Sequence, residues 1–176
     1  TNDPRLGRFF EPAGSGYFGN VYGLPAGDLF SGASTSYFGP GIISSPTQDQ
    51  WIMPSYESLF FLAEAQARGW IVGDAAATFR TAIRESFLLL GVEQDVDAKV
   101  DDYMENSGVA DYAGATTLND RIDLILIQKY IANTTIDALE SYSDIRRTNF
   151  LQRSGLVDAL GTTYISQNEG RVSGNL

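Results

Sequence analysis

The sequence contains no cysteine and no histidine. Without cysteine there is no thiol nucleophile, no disulfide and no thiolate ligand. Without histidine there is no imidazole base, no Ser-His-Asp triad and no usual zinc or iron site. Any metal would have to be held by oxygen alone. Positive charge is scarce too: 12 Lys and Arg stand against 22 Asp and Glu, for a formal net charge of −10. A field of that sign repels phosphate backbones, which argues against nucleic acid as a partner. No apolar run approaches the roughly 18 residues that a membrane-spanning helix requires. What is present is 43% hydrophobic residue over 176 positions, enough for one domain with a real core.

The densest acidic run, Asp95-Val-Asp97-Ala-Lys99-Val-Asp101, fails as a calcium loop. Val100 occupies the position that needs glycine, and Asn106 stands where a bidentate Glu belongs. The run is read as a solvated helix face, and no cofactor is expected. The opening TNDPRLGRFF has no Met, no charged-then-apolar signal and no cysteine for lipid attachment. It reads as the start of a piece of something longer.

The character of the chain changes near residue 54. Residues 1–53 are rich in Gly, Pro and aromatics, and GSGYFGNVYGLPAG and SGASTSYFGPG are turn-forming stretches. They predict extended, loop-dominated backbone, with short strands at most. Such a course suits a segment lying across a surface supplied by another part of a parent chain. Residues 54–153 read as helices and 154–176 as an irregular tail, all within one partial domain.

The first helix spans about Tyr56 to Arg68 and ends at Gly69. Tyr56, Leu59, Phe60, Ala63 and Ala67 follow helical spacing, which leaves Glu57, Glu64 and Arg68 as a narrow polar line. Glu64 and Arg68 stand at i, i+4 and predict an ion pair rather than catalysis. Trp70 is expected to plug the end of the helix pair, with its indole N–H on a backbone carbonyl. Asp74 caps a second helix that runs to about Leu90 and stops at Gly91, with Ala76, Phe79, Ile83, Phe87 and Leu90 on one face. The short connection predicts an antiparallel hairpin. Ala75, Phe79 and Ala82 match the second helix of a tetratricopeptide repeat, and one such pair must stack on further helices. A third helix covers Val96 to Asn106. A fourth opens at a capping box, Thr117-x-x-Asp120, and runs to about Ala132. Its Leu124–Ile127 stretch is apolar on every side and is expected to be central. Thr134-x-x-Asp137 restarts the chain into a fifth helix, whose Arg146 and Arg147 read as structural.

The order of several short segments carries a resemblance. DPRL, YGLPAG, SYESLFFLAEAQARGW, GDAAATFRTAIRESFLLLGV, IDLILIQKYIAN and YSDIRRTNF follow one another as in the C-terminal part of a SusD/RagB-like protein. That family comprises nutrient-binding lipoproteins of the Bacteroidetes cell surface. The likeness covers nearly the whole chain, with departures. Tyr130 stands where a Trp usually follows QK, and NTTIDALES replaces a Gly-containing turn. The resemblance implies a mostly helical fold with a tetratricopeptide-like pair, and partners in the remaining N-terminal part of the parent chain. It also implies an outer-membrane location through a lipid-anchored N-terminal cysteine outside this chain. Its implied role is delivery of oligosaccharide or another nutrient to a SusC-like, TonB-dependent transporter, without catalysis.

Two other classes compete. A glycoside hydrolase needs two carboxylates flanking a sugar, and no spacing singles out such a pair. A purely structural helical scaffold is supported only by the repeat-like helix pair. For a binding protein, aromatic platforms on loops are the natural contact points, because sugars present weakly polar C–H faces beside many hydroxyls. Tyr17, Phe18, Tyr22, Tyr37, Phe38 and Trp51 all lie in the loop-rich segment. Phe18 and Phe38, with no polar tip, are expected to anchor that segment to the helices. Tyr22, Tyr37 and Trp51 are the candidate ligand-binding residues.

Overall fold

Apolar residues at helical spacing, punctuated by caps and glycines, produce seven helices among residues 3–19 and 34–154, which the computed structural model describes. They are α1 (Leu6–Phe9), α2 (Ser55–Ala67), α3 (Ala75–Leu89), α4 (Val96–Asn106), α5 (Leu118–Ala132), α6 (Ala138–Thr148) and α7 (Phe150–Arg153). Only isolated bridges, Phe10 to Phe38 and Ala13 to Gly16, stand in for strands among the described residues. The architecture is mostly helical, with the backbone of residues 3–19 and 34–53, irregular apart from α1, laid against it. The single turn α1 lies within the segment expected to be loop.

The helix ends follow the local chemistry. The Asp74 carboxylate accepts from the Ala76 and Ala77 N–H groups at the start of α3. Thr117 and Asp120 form a reciprocal capping box on α5. Gly69 and Gly91 take φ of 74° and 81° just beyond α2 and α3, a conformation that L side chains resist. Thr134-x-x-Asp137 does lead into the next helix, but Thr134 is not its cap. Asp137 is itself the cap, accepting from Leu139 and Glu140 N–H, while the Thr134 hydroxyl donates back to the Tyr130 carbonyl.

Helices α2 and α3 make the hairpin. Ser55, at the start of α2, bonds Glu85 near the end of α3, and the Phe60 and Phe79 rings meet edge-on at 6.3 Å. The two helices therefore run antiparallel. Phe79, Ala82, Ile83, Phe87 and Leu90 are buried as their spacing predicts, but Ala76 is exposed in the first turn. Each fully buried Phe or Ile contributes about 1.5–3 kcal/mol relative to exposure.

Helix α5 is the central element, and the all-round apolarity of its Leu124–Ile127 stretch has a direct cause. Ile125 and Ala132 join the main cluster with Tyr56, Phe60, Phe79 and Phe87. Ile122, Leu126 and Ile127 face a second cluster with Phe150 of α7. A helix between two cores has no polar face to spare. Leu124 is only partly buried, packed at the edge of the main cluster.

Arg5 ties the loop segment to this body. Its side chain is 0% exposed. The guanidinium is 2.7 Å from Asp3 Oδ2 and donates to Gln128 Oε1 at 2.9 Å, Ser86 Oγ at 3.1 Å and the Tyr103 hydroxyl at 3.3 Å. The Phe87 and Tyr103 rings lie within 5.4 Å of it. One residue near the start of the chain thus joins α3, α4 and α5. A buried guanidinium is tolerated because its donors are satisfied in fork geometry. Nearby, Arg8 Nε donates to the Leu90 carbonyl at 2.6 Å, so a second arginine fixes the same segment to the end of α3.

Candidate functional site

The charged residues of α2 are structural. Arg68 lies 2.7 Å from Glu64, the i, i+4 pair that the spacing predicts. Arg147 of α6 adds bonds of 2.7 and 2.9 Å to the two Glu64 oxygens and one of 2.8 Å to Asp144. Burial pushes the Glu64 carboxyl up, but the bonds from Arg147 and Arg68 outweigh it and hold it below the usual Glu value. On α5, the Lys129 ammonium shares Asp144 with Arg147: it is 2% exposed, 2.9 Å from Asp144, 3.4 Å from Glu140 and 3.7 Å from Glu57. Here burial dominates, and Glu57 is raised despite Lys129. The run around Asp97 is a solvated face as read, with Asp97 and Asp101 clasping Arg80 and Arg84 across to α3. Such exposed pairs are worth little.

The aromatic expectations divide. Trp70 does not plug the helix pair. It is 73% exposed at the hairpin tip, its ring 5.2 Å from the Arg68 guanidinium, because the Gly69 turn directs the chain outward. Phe18 and Phe38 are both about half-exposed rather than anchored in either core. What holds their segment is backbone: the Phe10–Phe38 bridge and a 2.7 Å bond from Gly39 N–H to the Phe9 carbonyl. Tyr17 and Phe18 line a largely apolar cavity of about 240 Å³ with Leu6 and Phe10.

Of the three candidate ligand residues, Tyr22 lies outside the described residues. Tyr37 is 65% exposed, with its carbonyl accepting from Glu11 N–H at 2.9 Å. Trp51 is half-buried in the wall of an open cavity of about 290 Å³, with Gln48, Asp49, Gln50, Thr135 and Ile136 around it. Tyr37 is not part of that wall, so the two rings do not share a site.

Two distant stretches build the Trp51 cavity. The 42–51 loop is braced by Gln48, whose Oε1 accepts from the Ser44 N–H and hydroxyl while its Nε2 donates to the Ile42 carbonyl. The opposite wall is the turn after α5, where the Asn133 carbonyl accepts from Ile136 and Asp137 N–H. Thr135 in that turn takes φ of 67°, an outlier for a β-branched residue. The Asn133 side chain beneath it is buried with neither amide atom hydrogen-bonded. The polar neighbours of Trp51 were legible from the sequence; the contribution of Thr135 and Ile136 was not. A larger cavity of about 420 Å³ holds Asp111, Asp120, Asp123 and Arg153. Its polar groups are already committed, to the Gly114 N–H, the α5 capping box and the Asp123–Arg153 pair.

Residues 1–162 match the SusD-like family described as starch-binding and associating with the outer membrane, and the chain belongs to that family. It is similar to the solved structure of a SusD homolog from Bacteroides fragilis NCTC 9343, with a TM-score of 0.69 and 25% identity over 84% of this chain and 37% of that one. A second SusD homolog from the same organism superposes with a TM-score of 0.67 at 23% identity, over 85% of this chain and 37% of the other. The chain therefore spans little more than a third of the length of these structures. No curated protein matches it. Among the described residues, no helix is long and apolar enough to cross a membrane.

Proposed function

We propose that this chain is part of an outer-membrane, cell-surface binding protein that holds an oligosaccharide and hands it to a SusC-like, TonB-dependent transporter without chemical turnover. Membership of a family described as starch-binding at the outer membrane supports the class. The observation that carries it to the residue level is the half-buried indole of Trp51, set in an open cavity among Gln48, Asp49, Gln50 and Thr135. An aromatic face beside amides, a carboxylate and a hydroxyl suits a sugar ring: the indole covers C–H groups while the polar groups exchange hydrogen bonds with hydroxyls. Among the described residues of that wall, Asp49 alone carries a carboxylate, whereas hydrolysis calls on two flanking the glycosidic bond. Tyr22, and Tyr37 outside the cavity, are proposed as further contacts along an extended glycan. Lipid anchoring of the whole protein belongs to the same reading.

Affinity electrophoresis of the full-length protein in gels containing soluble starch, with reducing-end release assayed in parallel, tests this. Retardation without new reducing ends is expected. Unretarded migration would remove the glycan reading, and new reducing ends would replace binding with hydrolysis.

A further inference from the structure

We infer that the Trp51 cavity is a subsite selective for uncharged sugar rings over acidic ones, with Asp49 as the residue that excludes anions. The inference rests on the glycan-binding reading and adds the charge class of the sugar and the role of Asp49. Its first support is charge. Among the described residues, the cavity wall contains no Lys or Arg, and its single ionisable group is the exposed carboxylate of Asp49. No described cation pairs with Asp49. Every acid on α2, by contrast, has an arginine or lysine beside it. An uncompensated carboxylate accepts hydroxyl hydrogen bonds well, but a uronate or sulfated sugar placed there would set like charges side by side.

The second support is independent of charge. The wall opposite Trp51 is strained: Thr135 holds φ of 67° with its residue exposed, and the turn stands on the buried, unbonded amide of Asn133. Strained, over-determined backbone concentrates where a surface is shaped for a ligand. The strain sits in the wall of the same cavity as Trp51, 84 residues from it in sequence. At about 290 Å³ the cavity is just below the range of roughly 300–1,000 Å³ for whole-ligand sites, which suits one or two rings of a longer glycan.

The test is titration calorimetry on the full-length protein, using maltoheptaose and an oligogalacturonate of equal length. The salt is set near 0.15 M, where the Debye length of about 8 Å screens the distant charge of the chain and leaves the contact with Asp49. Maltoheptaose is expected to bind at least about tenfold more tightly than the acidic oligomer. Asp49→Lys should close most of that gap, and Trp51→Ala should weaken maltoheptaose by about tenfold or more. Should Trp51→Ala melt early, Asp49→Lys decides, because Asp49 is exposed and outside the described ion pairs. Equal affinity for the two oligomers in the wild type overturns the selectivity. Variants that melt normally and bind both oligomers unchanged overturn the location while leaving glycan binding intact. A wild type that binds neither oligomer overturns the proposal together with the reading beneath it.

Discussion

The helical body and the 34–53 segment solve the same problem, holding polar groups near apolar surface, in opposite ways. In the body, Glu64, Gln128 and Lys129 are buried, as is Arg5 inserted from the start of the chain, and each is met by several partners. In the 34–53 segment, Tyr37, Phe38, Ile43, Ile52 and Met53 are all exposed, and the order comes from backbone bonds and the Gln48 brace. The difference teaches which half carries stability and which is free to carry recognition. A saturated buried network penalises any change, whereas a braced loop leaves its side chains available.

The sharpest way to break that contrast is at Arg5. Arg5→Met should cost about 3–5 kcal/mol, because it strands the Asp3 carboxylate and removes a shared partner from Ser86, Tyr103 and Gln128. Urea unfolding of the wild type and variant measures it. A loss under about 1 kcal/mol would mean the buried network is not what holds the start of the chain to the helical body.

Arg5 also shows where the sequence stops being legible. The helix boundaries followed from local signals: Asp74, the Thr117–Asp120 box, Gly69 and Gly91 act within a few residues of themselves. The Glu64–Arg68 pair was legible for the same reason. Arg5 was not, because a lone arginine in DPRL is ordinarily a surface residue. Its partners stand 81, 98 and 123 positions away, so only the fold reveals the hub. The candidate site divides likewise. Trp51 and its polar neighbours share one loop and could be singled out, while the Thr135 wall belongs to another part of the chain. A signal did exist there, since NTT replaces the Gly-containing turn that the family resemblance leads one to expect. Trp70 misled because an aromatic after a helix-ending glycine has no sequence mark of which way it faces.

A second prediction compares two carboxylates on one helix. Glu64→Gln should cost about 1–3 kcal/mol, toward the lower end because Arg147 is partly exposed and water screens it. The pH dependence follows from the direction of each shift. Glu64 is held below its ordinary value of 4.5, so its contribution is present above that value and fades as pH falls through the folded pKa. Glu57 is raised, so its contribution is full below 4.5 and is lost as pH rises through its folded pKa. Glu64→Gln should therefore flatten the acid limb of a stability-against-pH curve, and Glu57→Gln should flatten the loss on the way up from it. Identical curves for the two variants would contradict the opposite settings.

The strained turn offers a smaller effect of opposite sign. Thr135→Gly should raise stability by up to about 1 kcal/mol, because glycine accepts a positive φ without the clash that threonine meets. The gain is trimmed by the extra freedom glycine gives the unfolded chain. A thermal melt that moves down instead would show that the Thr135 side chain, whose hydroxyl donates to the Thr134 carbonyl, contributes more than the strain removes.

The smallest effect belongs to Tyr37, and it tests the contrast from the open side. The ring is 65% exposed, while the backbone beneath it is fixed by the Glu11 N–H bond to its carbonyl and by the neighbouring Phe38–Phe10 bridge. Alanine keeps those backbone bonds and removes little buried surface. Tyr37→Ala should therefore leave unfolding free energy within about 0.5 kcal/mol of wild type. The same substitution probes recognition separately. Trp51 shares its cavity with amides and a carboxylate, so Trp51→Ala should weaken glycan binding by about 1–3 kcal/mol. Tyr37, outside that cavity, should cost less, and only for glycans long enough to leave it. Titrating a short and a long oligosaccharide against both variants separates the cases. If Tyr37→Ala weakens the short ligand as much as Trp51→Ala does, the recognition surface is centred on the exposed ring and the cavity is secondary to it.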